Sequence, residues 1–315
     1  MKNYHRLASL IFNTPQMVRD DMLDMAVQWA NRTMNLNIVN IGQAPAIGAW
    51  YDEDPVQAGP SPEERRLQAA RDTGVYMLPI HGLLVSRSAH LDLCETMTSY
   101  EDIRAMLNQA VSDPSVEHIV MDIDSPGGSA TGCVELADEI FAARAIKSIT
   151  AVSNFGAYSA AYALASAASE VVVAPSSGVG SIGVIARHMD MSKRYEQNGI
   201  KITTVFAGAR KNDLSSDAPP TEEAIAWLTE LVQDNYESFA QSVARSRGMS
   251  VASVKETEAG VFFGGKAVEI GLADRVETPQ AAVNRIAAEV AARRSAKNPT
   301  RIAARAAAMD TQNRI

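Results

Sequence analysis

The sequence predicts an α/β protein with a mainly parallel sheet. The first observation behind this is alternation: from Gly74 onward, short runs of aliphatic and β-branched residues exchange with amphipathic helical stretches across short connections. Such a pattern builds parallel strand–helix units joined by right-handed crossovers. The second is a glycine-bearing turn, Ser125-Pro126-Gly127-Gly128, after one of those runs. It lies where open α/β sheets place ligands, beyond the carboxyl end of a strand.

The elements follow in order. Thr14-Pro15 reads as an N-cap and first helical position, with Val18, Met22, Met25 and Trp29 at helical spacing, so a helix is expected to about Met34. Prolines 45, 55, 60 and 62 interrupt residues 35–72, in which Glu63–Arg71 forms a charged helix. Residues 1–72 are therefore expected to be an N-terminal helical arm. Val75–Ile80 reads as a strand, and Ser99 with Asp102 caps a helix that carries Ile103, Met106, Leu107 and Val111 on one face. Further strands are expected at 116–123, 149–152, 170–174, 181–186 and 200–206, with helices at 132–145, from Ser159, and at 189–197. A long helix from Thr221 ends at Gly248, a tight apolar hairpin or turn spans Gly260–Gly265, and Pro279 opens the last helix. The main domain is expected over 73–278, with 279–315 as a C-terminal helix and tail.

Bulk composition narrows the function. The 315 residues are 46% hydrophobic and 21% charged, with a net charge of −8. An acidic chain is poorly suited to coat nucleic acid or an anionic membrane. The late basic residues Arg293, Arg294, Lys297, Arg301 and Arg305 read as a solvated helix face. Two cysteines, Cys94 and Cys133, read as free thiols in a reducing compartment. No apolar run reaches the ~18 residues of a membrane span, and the first residues lack a signal-peptide core, so a cytoplasmic protein is expected. No metal-ligand spacing is present, and no cofactor is expected.

Chemistry gathers in three stretches. In Asn154–Ala168, Ser159 stands among small residues at the front of an apolar helix, where unpaired N–H groups and the helix dipole favour developing negative charge. An Ala-rich core helix with an incidental serine is the plainer alternative. In Asp122–Ser129, Pro126 stiffens a turn whose glycines leave an N–H free to meet a ligand oxygen. In Phe206–Asp213, Lys211 follows a predicted strand and a glycine turn; burial beside the serine would disfavour its ammonium form and let it take the serine proton. Two solvated loop cations, Arg210 and Lys211, are the plainer alternative. Of the five histidines, His5, His81, His90, His118 and His188, none lies in a glycine-rich or capping context beside a strand end. Nothing favours a Ser–His–Asp triad, which stays open. Gly178-x-Gly180-x-x-Gly183 matches a dinucleotide fingerprint, but strand-like residues follow it where a helix is needed. It reads instead as a turn flanking a substrate.

Taken in order, Asp124-Ser125-Pro126-Gly127-Gly128, Ser159 before Ala165-Ser166-Ala167-Ala168, Gly180–Val184, and Gly208 three residues before Lys211 resemble the signal peptide peptidase A family of serine proteases. The likeness is to its phage branch, the lambda-type capsid maturation proteases, and runs from about Val75 to Val276. It implies a ClpP/crotonase-like fold of stacked ββα units and a Ser–Lys dyad. Ser159 would be the nucleophile and Lys211 the general base. An N–H of Gly127 or Gly128 would form the oxyanion hole with that of Ala160, while Ser181, Ile182 and Gly183 would flank the substrate. It further implies a peptide or protein substrate, scaffold or capsid proteins and the chain itself, a homo-oligomeric ring, and no metal. Ala160-Ala161 departs from the Gly-Gly usual in the cellular members, and the membrane anchor of those members is missing. Alternatives are a crotonase-type acyl-CoA enzyme, a cellular signal-peptide-degrading peptidase without an anchor, and a non-catalytic assembly protein.

Overall fold

The computed structural model describes residues 15–18, 61–87 and 97–297. The expected helix beyond Val18, the irregular stretch to residue 60, His5, His90, Cys94 and the tail after residue 297 lie outside these. The first described element corrects the expected N-terminal helical arm at its start: Gln16–Val18 is a strand, β1. It pairs antiparallel with Gly127–Ser129, and this ladder overrides the local capping signal of Thr14-Pro15.

Helix α1 (Pro62–Thr73) starts at a capping box, in which Ser61 Oγ accepts the Glu64 N–H and Glu64 accepts the Ser61 N–H. Strands β2 (Val75–His81), β3 (Leu83–Val85) and β4 (Met97–Ser99) follow. Ser99 Oγ accepts the Asp102 N–H at 3.0 Å to start α2 (Tyr100–Ser112), as the sequence requires. The chain then passes through β5 (His118–Ser125), β6 (Gly127–Ser129), α3 (Cys133–Ala143), β7 (Ser148–Tyr158), α4 (Ala160–Ser166), β8 (Glu170–Val173) and β9 (Gly178–Gly180). After α5 (Ser192–Gln197) comes the longest helix, α6 (Glu222–Arg247), capped by Thr221 and stopped by left-handed Gly248. The elements α7 (Val251–Lys255), β10 (Val261–Phe263), α8 (Gly264–Glu269), β11 (Arg275–Val276) and α9 (Pro279–Lys297) complete it.

The larger sheet has seven strands in the path β10-β9-β7-β5-β2, with β8 and β11 branching from β7. All its pairings are parallel except β9 with β10. This is the α/β class expected. The smaller sheet runs β1-β6-β3-β4, so the glycine turn after β5 enters it directly. One face of the large sheet is covered by α2, α3, α4 and α6, with Ile103, Leu107, Leu136, Ile140, Leu164, Phe239 and Val243 in a continuous core. On the other face, Ala282, Ile286 and Val290 of α9 pack at i, i+4, i+8 on Val75, Val120, Val152 and Val172. Arg294, expected on a solvated face, instead bonds Glu117 at 2.6 Å and the Ser115 carbonyl at 2.8 Å, fixing α9 to the sheet.

Two expected strands are corrected. The strand foreseen at 181–186 lies earlier, at Gly178–Gly180, and its place is taken by an irregular segment in which Ile185 makes a single bridge to Gln16. Residues 200–206 join no ladder, and Ile200, Ile202, Val205 and Phe206 are exposed. Their β-branched pattern pairs with no strand of the described chain.

Candidate active site

The path of β7 determines where Ser159 stands. In its first half, Thr150–Ser153 pairs with β8; in its second, Gly156–Tyr158 pairs with β9. Between them the register with β5 slips, from Ile123↔Ser153 to Asp124↔Gly156, so Asn154 and Phe155 bulge out and the strand is re-aimed. Ser159 comes next. Its N–H donates to the Gly180 carbonyl at 2.8 Å, and its carbonyl accepts the Ala163 N–H at 3.0 Å, opening α4. The residue adopts φ 53°, ψ −118°. A side chain at that positive φ costs about 1–3 kcal/mol, and strain of this kind concentrates at functional sites. A sharp strand-to-helix turn is also how α/β hydrolases hold a nucleophilic serine up to substrate. The Ser159 side chain is buried, yet its Oγ has no hydrogen-bond partner among the described protein atoms.

The glycine segment meets it there. Gly127, at φ 102°, could carry no Cβ: one would stand 3.0 Å from the Ser159 Cβ, 2.9 Å from the Tyr158 carbonyl oxygen, and closer still to the Met17 carbonyl oxygen. A Cβ on Gly128 would strike the main chain of Leu84 in β3. Ser125 Oγ accepts the Gly127 N–H at 3.2 Å and donates to the Gly82 carbonyl at 2.6 Å, pinning the turn. The Ala160 N–H is one of the first four of α4, which have no acceptor within a helix. The loop after β9 is tied in through Gly180. Ser181, at φ 55°, donates its N–H to the Gly260 carbonyl at 2.8 Å and accepts the Gly183 N–H at 3.0 Å, while Ile182 is buried. Gly127, Gly128, Ser159, Ala160 and Ser181–Gly183 thus share one end of the sheet.

Lys211 lies exposed in a turn, its N–H donating to the Gly208 carbonyl at 3.0 Å, and it makes no hydrogen bond to Ser159 Oγ. Among the described residues no histidine is hydrogen-bonded to Ser159 Oγ. His118 opens β5, at the end of the sheet opposite Ser159, and Nε2 is bonded to Thr150 Oγ1 at 2.9 Å. Burial, with Arg293 nearby, lowers its pKa to about 4. His81 Nε2 lies 3.0 Å from Asp122 Oδ2 at the carboxyl end of β2, two strands from β7. That pair was missed from sequence because it exists only in the β2–β5 register, where Asp124 faces His81 and Asp122 sits on the same side. Equally missed was β1, since a three-residue strand inside a helical pattern carries no signal of its own. Among the described residues no group of three or more His, Cys, Asp or Glu is placed to hold a metal ion, and no helix is long and apolar enough to cross a membrane.

Residues 141–293 match the sequence model of peptidase family S49. The chain is similar to the capsid assembly protease C of Escherichia phage lambda, 38% identical over 203 residues, covering 64% of this chain and 46% of that protein. It is also similar to the head-tail preconnector protein GP5 of Enterobacteria phage P21, 32% identical over 316 residues, 99% of this chain and 63% of the relative. The chain thus spans less than two thirds of the length of either. A ClpP1 variant from Listeria monocytogenes superposes with TM-score 0.41 at 15% identity, covering 67% of this chain and 95% of that one.

Proposed function

We propose, from the match of residues 141–293 to the peptidase family S49 model, that this chain is a serine endopeptidase that cleaves peptide bonds through an acyl-enzyme on Ser159. The observation that carries the reading is the state of that serine: strained, buried, without a partner for its hydroxyl, and held against Gly127. A structural serine would use such a position to satisfy its hydroxyl.

In the first step Ser159 Oγ attacks the carbonyl carbon while its proton passes to Lys211 Nζ. The oxyanion is held by the Ala160 N–H and the Gly128 N–H; the Gly127 N–H is already bonded to Ser125. Lys211 then protonates the departing amine, and water releases the acyl group, restoring the serine hydroxyl. Losing one oxyanion donor costs about 3–4 kcal/mol of barrier. For this role the exposed Lys211 turn has to be covered. The uncovered Ile200, Ile202, Val205 and Phe206 just before it supply an apolar surface for a second copy of the chain to do so. A homo-oligomeric ring with sites completed between neighbours follows, and scaffold or capsid proteins of a phage head are the proposed substrates.

The test is intact-mass analysis of the wild-type chain and Ser159→Ala, each co-expressed with its neighbouring capsid and scaffold proteins. Cleavage products in the first and none in the second are expected. Equal cleavage in both removes Ser159 from the chemistry. Loss of cleavage with Lys211→Ala, while native mass spectrometry still shows the wild-type oligomer, is the expected sign of the base.

A further inference from the structure

The edge of Gly127–Ser129 that faces the serine already carries a peptide. Pro15–Val18 lies along it as an antiparallel strand, with Gln16 opposite Ser129, Met17 opposite Gly128 and Val18 opposite Gly127. The other side of the segment is held by Ile185. The Gln16 N–H donates to its carbonyl at 2.8 Å, and the Ile185 N–H donates back to the Gln16 carbonyl at 2.9 Å. The four residues are therefore clamped between the glycine strand and the loop that follows Ser181–Gly183.

The alternation of a strand fixes what points where. Neighbouring residues in a strand turn their N–H and C=O groups to opposite edges. Gln16 bonds Ile185, so Met17 turns its polar groups the other way, toward Gly128; Pro15 does the same, its carbonyl accepting the Ala130 N–H. Met17 therefore offers its carbonyl to the amide proposed above as an oxyanion donor. The Met17 carbonyl oxygen and the Ser159 Cβ crowd the same face of Gly127. Its side chain is fully buried, and Val18 nearly so.

From this we propose that Pro15–Val18 is a built-in competitor of substrate, seated in the channel between Gly127–Ser129 and Ile185 that an incoming peptide has to enter. A peptide lies in it antiparallel to Gly127–Ser129. The residue that presents its carbonyl to Ser159 places an unbranched apolar side chain in the pocket now filled by Met17. Pro15–Val18 is the resident occupant and has to leave before another chain enters. The inference rests on the peptidase reading for the role of Ser159, but peptide binding can be measured without turnover. Where a competing segment fills a site, apparent affinity falls by the fraction of time the site is open. An occupant present about nine-tenths of the time weakens an incoming peptide about tenfold.

The experiment uses full-length Ser159→Ala protein and a fluorescein-labelled peptide copying Asn13 to Asp20, followed by anisotropy. Adding Met17→Asp to the protein should tighten peptide binding about tenfold, by the same open-fraction relation. The same peptide carrying aspartate for methionine should fail to compete. Gln16→Pro, which removes the N–H bonded to Ile185, is the companion variant should Met17→Asp unfold; it should tighten binding in the same direction. Equal peptide affinity for the parent and a folded variant, or competition by the aspartate peptide, overturns the proposal. Relief of binding together with absence of turnover in the Ser159-containing protein would instead sink the peptidase reading and leave the groove standing.

Discussion

Ser159→Ala should make the protein more stable while abolishing its chemistry. The hydroxyl is buried, and no described protein atom pairs with it. An unsatisfied buried hydroxyl costs about 1–3 kcal/mol on the scale of protein mutations. Removing it leaves a gap of one oxygen, so a net gain of about 1–2 kcal/mol is expected. For a domain of this size each kcal/mol moves the midpoint by about 2–4 °C, which puts Ser159→Ala roughly 2–8 °C above wild type. Alanine keeps the Cβ and hence the strain of φ 53°. Ser159→Gly releases that strain, about 1–3 kcal/mol, against an entropy cost of about 0.5–1 kcal/mol for glycine in the unfolded chain. The glycine variant should therefore melt at or above the alanine variant. Calorimetry of the three proteins at one concentration, beside a peptide-cleavage assay, decides the matter. An alanine variant that melts below wild type would show that the hydroxyl is a structural group, and the functional argument from its isolation would fail.

Three further outcomes follow from named contacts. Gly128→Ala drives a methyl into the Leu84 main chain, where nothing can swing aside, so a loss of at least about 2 kcal/mol in chemical denaturation and loss of cleavage are expected. His118 takes its proton at about pH 4 when folded and near 6.5 when unfolded, so its contribution is complete above pH 6.5 and drains away as pH falls toward 4, up to about 3 kcal/mol. His118→Gln should flatten that part of the stability–pH curve, read from urea midpoints between pH 7.5 and 4.5. Burial pushes the Cys133 thiol up to about 12, its Sγ donating to the Ala160 carbonyl at 3.6 Å, so mapping after iodoacetamide should find Cys133 unlabelled until the chain is denatured.

Much of this architecture is legible locally. The caps at Ser99 and Thr221 and the stop at Gly248 mark their helices because each satisfies end groups of its own helix. The strands of the large sheet read as apolar runs because both faces are covered, by α2, α3, α4 and α6 on one side and α9 on the other. What fails is whatever depends on a distant edge. Gln16–Val18 carries helical periodicity yet pairs with a strand more than a hundred residues away. Ile200–Phe206 carries strand propensity yet joins no described strand. At the site, the small residues about Ser159 and the glycines at 127 and 128 are visible as types, but their meeting depends on the two-residue bulge in β7, which no local pattern announces.

The two members of the proposed dyad pose opposite problems. The serine is enclosed by its own chain, with Met17 against the neighbouring glycine, whereas the lysine stands in solvent on a turn next to uncovered apolar residues. A hydroxyl shielded from water gains strongly from a nearby base, and loss of water is one of the ways in which a lysine is brought to its neutral form. On the proposed reading the two changes lie at separate places: Pro15–Val18 fills the groove, and the exposed residues 200–206 precede the lysine turn. That reading therefore has two gates, with association preparing the base and departure of the N-terminal strand admitting the substrate. The order is open to measurement. Phe206→Asp should lower the oligomer and the rate together without altering peptide affinity in the Ser159→Ala background, whereas Met17→Asp should tighten peptide binding and leave the oligomer unchanged. A single variant that shifts both would join the gates into one.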